Sequence, residues 1–224
     1  MPDCLTLFVP ELFRTGLENR AARDWPACPA LAAWLARGRF AARAAQAPEA
    51  VLAEMFGHAA EVALGEIRLR GESGPLGDAG PARCVAADPV HLAVARERLI
   101  LVEGAALAIL PEEVAALVDA LNRHFADLGV FHAAGAGRWY LRPAASRGER
   151  VRQALARRAA PPLSAVAGRG VEQVLREIIE ERELRHLYNE MQTLLHAQPV
   201  NRRRGEGGRA TINSLWLWGA GTPP

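Results

Sequence analysis

The chain has 224 residues, half of them apolar, and a formal charge of +2. That is enough apolar material to bury a sizeable core in one large domain or two small ones. The near balance of charge, with arginines scattered rather than blocked together, gives little support to nucleic-acid binding, and with no Lys in the sequence Schiff-base and lysine-base catalysis are excluded.

Cys4, Cys28 and Cys84 are odd in number and far apart, and Met1-Pro2-Asp3 lacks the basic start of a signal peptide. No apolar run reaches the length needed to span a bilayer. The expectation is a reduced, soluble, cytoplasmic protein without a membrane partner, its cysteines small core or surface residues.

In chain order, Leu5 to Val9 predicts a short strand stopped by Pro10. Pro29 to Arg39 predicts a helix with Leu31, Trp34 and Leu35 on one face, and Pro48 opens a second helix that runs through Met55 to Gly57. Gly71 to Gly80 is a loop, Arg98 to Val102 a strand, and Glu112 to Leu128 a helix with Val114, Leu117, Val118, Leu121 and Phe125 facing inward. Val130 to His132 and Arg138 to Leu141 flank an Ala/Gly turn and predict a hairpin. The fold class is mixed α/β.

Residues 143–170 are rich in Arg, Ala and Pro, and Pro161-Pro162 stops any helix begun at Glu149, so this segment reads as an exposed connection between an N-terminal region, 1–142, and a C-terminal one, 171–224. From Val171 an apolar stripe runs through Leu175, Ile178, Leu184, Leu187, Met191 and Leu195, the pattern of one long helix. The helical period sets Arg185, Asn189, Gln192 and His196 in a narrow line beside that stripe, either a helix edge bonded to a neighbouring loop or one wall of a polar pocket. Trp216 and Trp218 alternate with Leu215 and Leu217 along a strand that is apolar on both faces, hence buried in a sheet. Cover for that strand must come from elsewhere in the chain or from a second copy, which motivates a homo-oligomer. Asp88 and His91 carry two readings, a turn former with a nearby cap, or a carboxylate-oriented imidazole.

Four separated stretches share an order with a known family: Cys84 to Leu92 with its Ala-Asp-Pro-Val-His-Leu core, Gly137 to Leu141, Asn189 to Asn201, and Asn213 to Gly219. Over residues 80–221 they resemble the bacterial regulators of pathogenicity factors, type E, which in turn are similar to the archaeal type of cofactor-independent phosphoglycerate mutase. The resemblance implies an alkaline-phosphatase-like α/β fold. Active mutases of that superfamily use two divalent metals, such as manganese or magnesium, held by Asp and His, with Asp-Gly at the end of the first strand. Here that strand ends Phe8-Val9-Pro10-Glu11, and relatives continue beyond Trp218-Gly219-Ala220-Gly221 into the rest of the metal site. The resemblance therefore implies a catalytically inactive regulatory relative with no cofactor, which keeps a recognition site for a small phosphorylated or carboxylated metabolite. The residues it assigns to that site are Asn189, His196, Asn201, Arg204, Asn213, Asp88 and His91. Arg204 would supply the anion fork, while Arg202 and Arg203 would be solvated neighbours. A metal-dependent mutase or phosphatase, and an interaction module with no small ligand, are the alternatives.

Overall fold

The computed structural model describes Phe8 and residues 28–39, 46–59, 61–72, 83–95, 98–158 and 160–222. Contacts divide the chain into Met1–Gln46 and Ala47–Pro224. In the first unit the described element is helix α1 (Pro29–Arg37), whose Trp34 and Leu35 are exposed. Cys4 and, apart from Phe8, the expected first strand lie outside the described residues. Within them no helix is long and apolar enough to cross a membrane.

The second unit carries the rest. Helices α2 (Pro48–Met55) and α3 (Leu64–Arg70) precede strands β1 (Val85–Ala95) and β2 (Arg98–Glu103), the short α4 (Gly104–Leu107) and the longer α5 (Pro111–His124). The hairpin follows as expected, β3 (Gly129–Gly135) and β4 (Arg138–Pro143), then α6 (Arg147–Arg158), α7 (Leu163–Val166), α8 (Glu172–Glu180), α9 (Arg182–His196), α10 (Pro199–Glu206) and β5 (Ser214–Trp218). The strands form one antiparallel sheet with β1 as its hub. β1 pairs with β2 along Val90–Ala95, with β5 along Ala86–Val90 and with β4 at Val85 and Ala86.

Three expectations need correction. Asp88-Pro89 makes no turn: β1 runs straight through it. Pro89 sits in the stretch, Ala87 to Pro89, where β5 is the one partner strand, so its missing N–H breaks no ladder elsewhere. Residues 143–170 are no exposed connection either, because α6 is amphipathic and buries Val151, Ala154 and Leu155 against the sheet, with Pro161-Pro162 following its end. The long C-terminal helix is two helices. Glu181 adopts an extended conformation (φ −66°, ψ 120°) between α8 and α9, which pack against each other.

The core follows from strand alternation. Val85, Leu141, Phe131 and Leu217 meet α5, α6 and α9 through residues such as Leu117, Leu121, Leu155, Leu187 and Leu195, all essentially inaccessible. On the opposite side α3 closes Leu69 over Cys84 and Tyr140. Every residue of β5 is buried by this chain itself, so a second copy is not needed to cover Trp216 and Trp218. The Trp-Gly-x-Gly motif is a close-approach device: Gly219 has φ +72°, and a Cβ there would stand 2.4 Å from the Gly65 nitrogen. Gly65 N–H donates to the Gly219 carbonyl (3.0 Å), which draws α3 onto the end of β5.

α6 is also tied to that C-terminal segment by Arg152, whose Nη1 donates to the Gly221 carbonyl (3.1 Å) while Nε and Nη2 grip Glu149 at 2.9 and 2.8 Å. The grip of Arg152 holds the Glu149 carboxyl down at about 2, against an ordinary 4.5. A carboxyl lowered in the folded state stabilises fully above its unfolded pKa and loses that contribution as pH falls through the folded one. Wild type should therefore exceed Glu149→Gln in urea midpoint near neutrality, the two converging between pH 4.5 and about 2. A gap unchanged by acid would contradict this account.

Candidate functional site

Beyond Val90, β1 pairs with β2 alone, and α8 and α9 stand beside this end of the sheet. Between them opens a cleft of about 820 Å³. Leu92 of β1, Leu99 of β2, Leu175 and Ile179 of α8 and the Tyr188 ring give it an apolar lining. Asn189, Gln192, Thr193 and His196 line it along one edge of α9, Arg176 comes from α8, and Asn213 from the segment before β5. The line of side chains expected from the helical period thus borders a concave surface. Arg185 is outside it and donates to the Ile179 carbonyl (3.3 Å) at the α8–α9 break.

Some polar groups here are committed. Glu172 accepts the Leu99 N–H, and Thr193 Oγ1 donates to the Asn189 carbonyl (2.9 Å). Burial pushes the Tyr188 hydroxyl well above its ordinary pKa, so it is a neutral group, and it accepts the Leu217 N–H at 3.4 Å. In contrast, the side chains of Arg176, Asn189, Gln192 and His196 make no hydrogen bond or ion pair among the described residues. A guanidinium, two amides and an imidazole are left to water or to a ligand, beside an apolar surface.

Three other expected site residues hold one short chain segment. Asn201 clasps Ile212, accepting its N–H at 2.7 Å and donating to its carbonyl at 2.7 Å, with a further bond to the Leu195 carbonyl. Asn213 makes the same clasp on Leu92 of β1, at 2.8 and 3.0 Å. His91 Nδ1 lies 2.8 Å from the Thr211 carbonyl. These contacts fix residues 211–213 between α10 and β5, a scaffold role that leaves only Asn213 of the three on the cleft.

Arg204 is a correction. The run Asn201 to Glu206 lies in α10, and the helical turn sends Arg204 inward while Arg202 and Arg203 stay exposed. Its side chain is 1% exposed. Nη1 donates to Glu113 (2.6 Å), Nη2 to the Leu107 carbonyl (2.5 Å) and Nε to the Ala210 carbonyl (2.7 Å). A guanidinium so engaged has no fork to offer an anion. Arg209 adds a second cation to Glu113 (3.1 Å). Burial pushes the Glu113 carboxyl up, but the Leu110 N–H and the two guanidiniums outweigh it and hold it below the ordinary carboxylate range.

Asp88 and His91 do not form a pair either, because three residues along a strand place them on opposite faces. Asp88 is fully buried and is saturated. Arg68 grips both oxygens (2.7 and 2.6 Å), Trp218 Nε1 donates at 2.8 Å, and the Trp139 N–H donates at 3.2 Å where β4 parts from β1. Arg68 lies over the Tyr140 and Trp218 rings, 4.7 and 5.0 Å from their centroids. Burial opposes its charge, yet Asp88 raises its pKa above the ordinary value. Sequence reasoning missed Arg68 and Arg176. Arg176 had a usable signal, its place next to Leu175 in the amphipathic pattern, whereas Arg68 had none.

Among the described residues no three or more His, Cys, Asp or Glu side chains group closely enough to hold a metal ion. With Asp88 filled by four donors and His91 turned away from it, these residues do not fit a two-metal phosphoryl-transfer centre. No family model, curated protein or solved structure matches the chain.

Proposed function

We propose that this is a cytoplasmic, non-catalytic regulatory protein that binds a small carboxylated or phosphorylated metabolite in the α8–α9 cleft. The observation that carries the reading is the set of uncommitted side chains, Arg176, Asn189, Gln192 and His196, ranged along a concave apolar surface of about 820 Å³. That volume suits a small molecule, and a few polar groups around an apolar lining is the usual make-up of a ligand cleft. Arg176 supplies a charge-assisted fork for the anionic head, the amides fix its orientation, and Leu92, Leu99, Leu175 and Ile179 receive the apolar body. The resemblance to regulatory relatives of phosphoglycerate mutase agrees with recognition without turnover, although the anion-binding arginine under this reading is Arg176 and not Arg204.

A ligand that prefers the folded state at about 100 times its Kd adds about 2.7 kcal/mol, a rise in Tm of roughly 5–10 °C for a chain of this size. Titration of 3-phosphoglycerate and of apolar monocarboxylates, with and without manganese, should give such a rise for at least one of them. Arg176→Gln should abolish the rise while leaving the ligand-free Tm in place, since the exposed guanidinium bonds nothing among the described residues. If none of these compounds shifts Tm, or the shift survives in Arg176→Gln, the reading is wrong.

A further inference from the structure

A second cleft, about 450 Å³, lies on the other side of Asp88, enclosed by α2, α3, the α4 region, the β3–β4 turn, α7 and the end of β5. Its charges do not balance. Arg68 is neutralised by Asp88, and Arg138 by Glu72, which it grips through Nε and Nη2 at 2.9 and 3.2 Å. Among the described residues two carboxylates on separate elements remain without a cation: Glu49 of α2, whose Oε2 accepts the Ser164 hydroxyl (2.7 Å) and nothing else, and Glu103 at the end of β2, whose side chain makes no hydrogen bond or ion pair. On the donor side, among the described residues Arg138 Nη1 has no acceptor, and Arg68 Nη1 has one N–H beyond the bond it gives Asp88.

The wall is also rigidly built. Ala108 holds the left-handed conformation (φ 45°), which a residue with a Cβ rarely adopts. Arg204 and Arg209 keep it there by taking the carbonyls of Leu107 and Ala108. At the rim Gly104 approaches the β3–β4 turn so closely that a Cβ would stand 2.8 Å from the Gly137 Cα. The volume falls at the small end of the range for ligand clefts, roughly 300–1,000 Å³.

From this charge pattern we infer that the cleft binds a basic α-amino acid. Such a molecule carries two cations and one carboxylate, the complement of two unpaired carboxylates and one spare guanidinium edge. Its carboxylate meets the free N–H groups of Arg138 and Arg68, and its two cationic groups meet Glu103 and Glu49. This site is independent of the α8–α9 cleft.

Calorimetric titration of the full chain with L-arginine and L-lysine tests it, with agmatine (no carboxylate), L-citrulline (no side-chain cation) and L-leucine as comparisons. At least one basic amino acid should bind with Kd at or below about 1 mM, and each comparison compound at least ten-fold more weakly. Glu103→Gln should weaken the basic amino acid ten-fold or more at unchanged Tm, because that carboxylate has no bonding partner among the described residues. Arg138→Gln should narrow the preference for L-arginine over agmatine, and Arg176→Gln should leave binding untouched. Absence of heat with both basic amino acids, equal binding of citrulline or leucine, equal binding of agmatine, or indifference to Glu103→Gln would each overturn the assignment.

Discussion

Asp88→Ala is expected to lose about 3–5 kcal/mol of stability, the range for stripping one partner from a buried ion pair. The change would leave the Arg68 guanidinium, the Trp218 indole N–H and the Trp139 N–H without their acceptor at the point where β1, β4, β5 and α3 meet. Each orphaned donor carries a desolvation penalty of about 1–3 kcal/mol, charged ones more. Urea unfolding should rank wild type above Asp88→Asn, and Asp88→Asn above Asp88→Ala, because the amide keeps one acceptor. Adding Arg68→Met to Asp88→Asn should return part of the loss by removing the stranded cation. A penalty below about 1 kcal/mol for Asp88→Ala would mean that water reaches this site and that the network is not what joins the four elements.

Arg204→Met separates a ligand role from a structural one. Were Arg204 an anion fork at the surface, the variant would fold normally and lose ligand. The structure leads to the opposite result. Methionine fills much of the volume, but the Leu107 and Ala210 carbonyls lose the guanidinium donor, and Arg209 is left as the one described cation on Glu113 beside the Leu110 N–H. A loss of about 3 kcal/mol is expected, or roughly 6–12 °C in Tm, while metabolite binding at the α8–α9 cleft persists in the folded fraction. Thermal unfolding with and without ligand checks both halves at once. An unchanged Tm with abolished binding would restore the surface role.

The sequence makes some of this legible for clear physical reasons. α5 stands out because its 3.6-residue apolar period matches the face it buries, and β4 and β5 because each is a short, nearly continuous apolar run, the pattern of a strand covered on both sides. The line of Asn189, Gln192 and His196 follows from the same helical geometry. The break at Glu181 is hidden because glutamate is a good helix former, and nothing local requires the extended ψ there. Asp88-Pro89 has the composition of a turn, and only the long-range convergence of Arg68, Trp139 and Trp218 makes a strand the better solution. Arg204 reads as a surface anion fork because nothing next to it in sequence shows that Glu113, ninety-one residues away, awaits it. α6 hides in a similar way, its four buried positions diluted by arginine and alanine.

The clasp of Asn213 on Leu92 also bears on how copies of this chain meet in a crowded solution. Past Val90, β1 has β2 along one side, and its other side is where a foreign strand would add. An unpaired strand margin of this kind is a template for growth into larger assemblies. By taking both the N–H and the carbonyl of Leu92, a single side-chain amide imitates one residue of a neighbouring strand and ends the ladder there. The same asparagine that borders the cleft thus ends the ladder at Leu92, leaving that residue no backbone group for a strand from another copy.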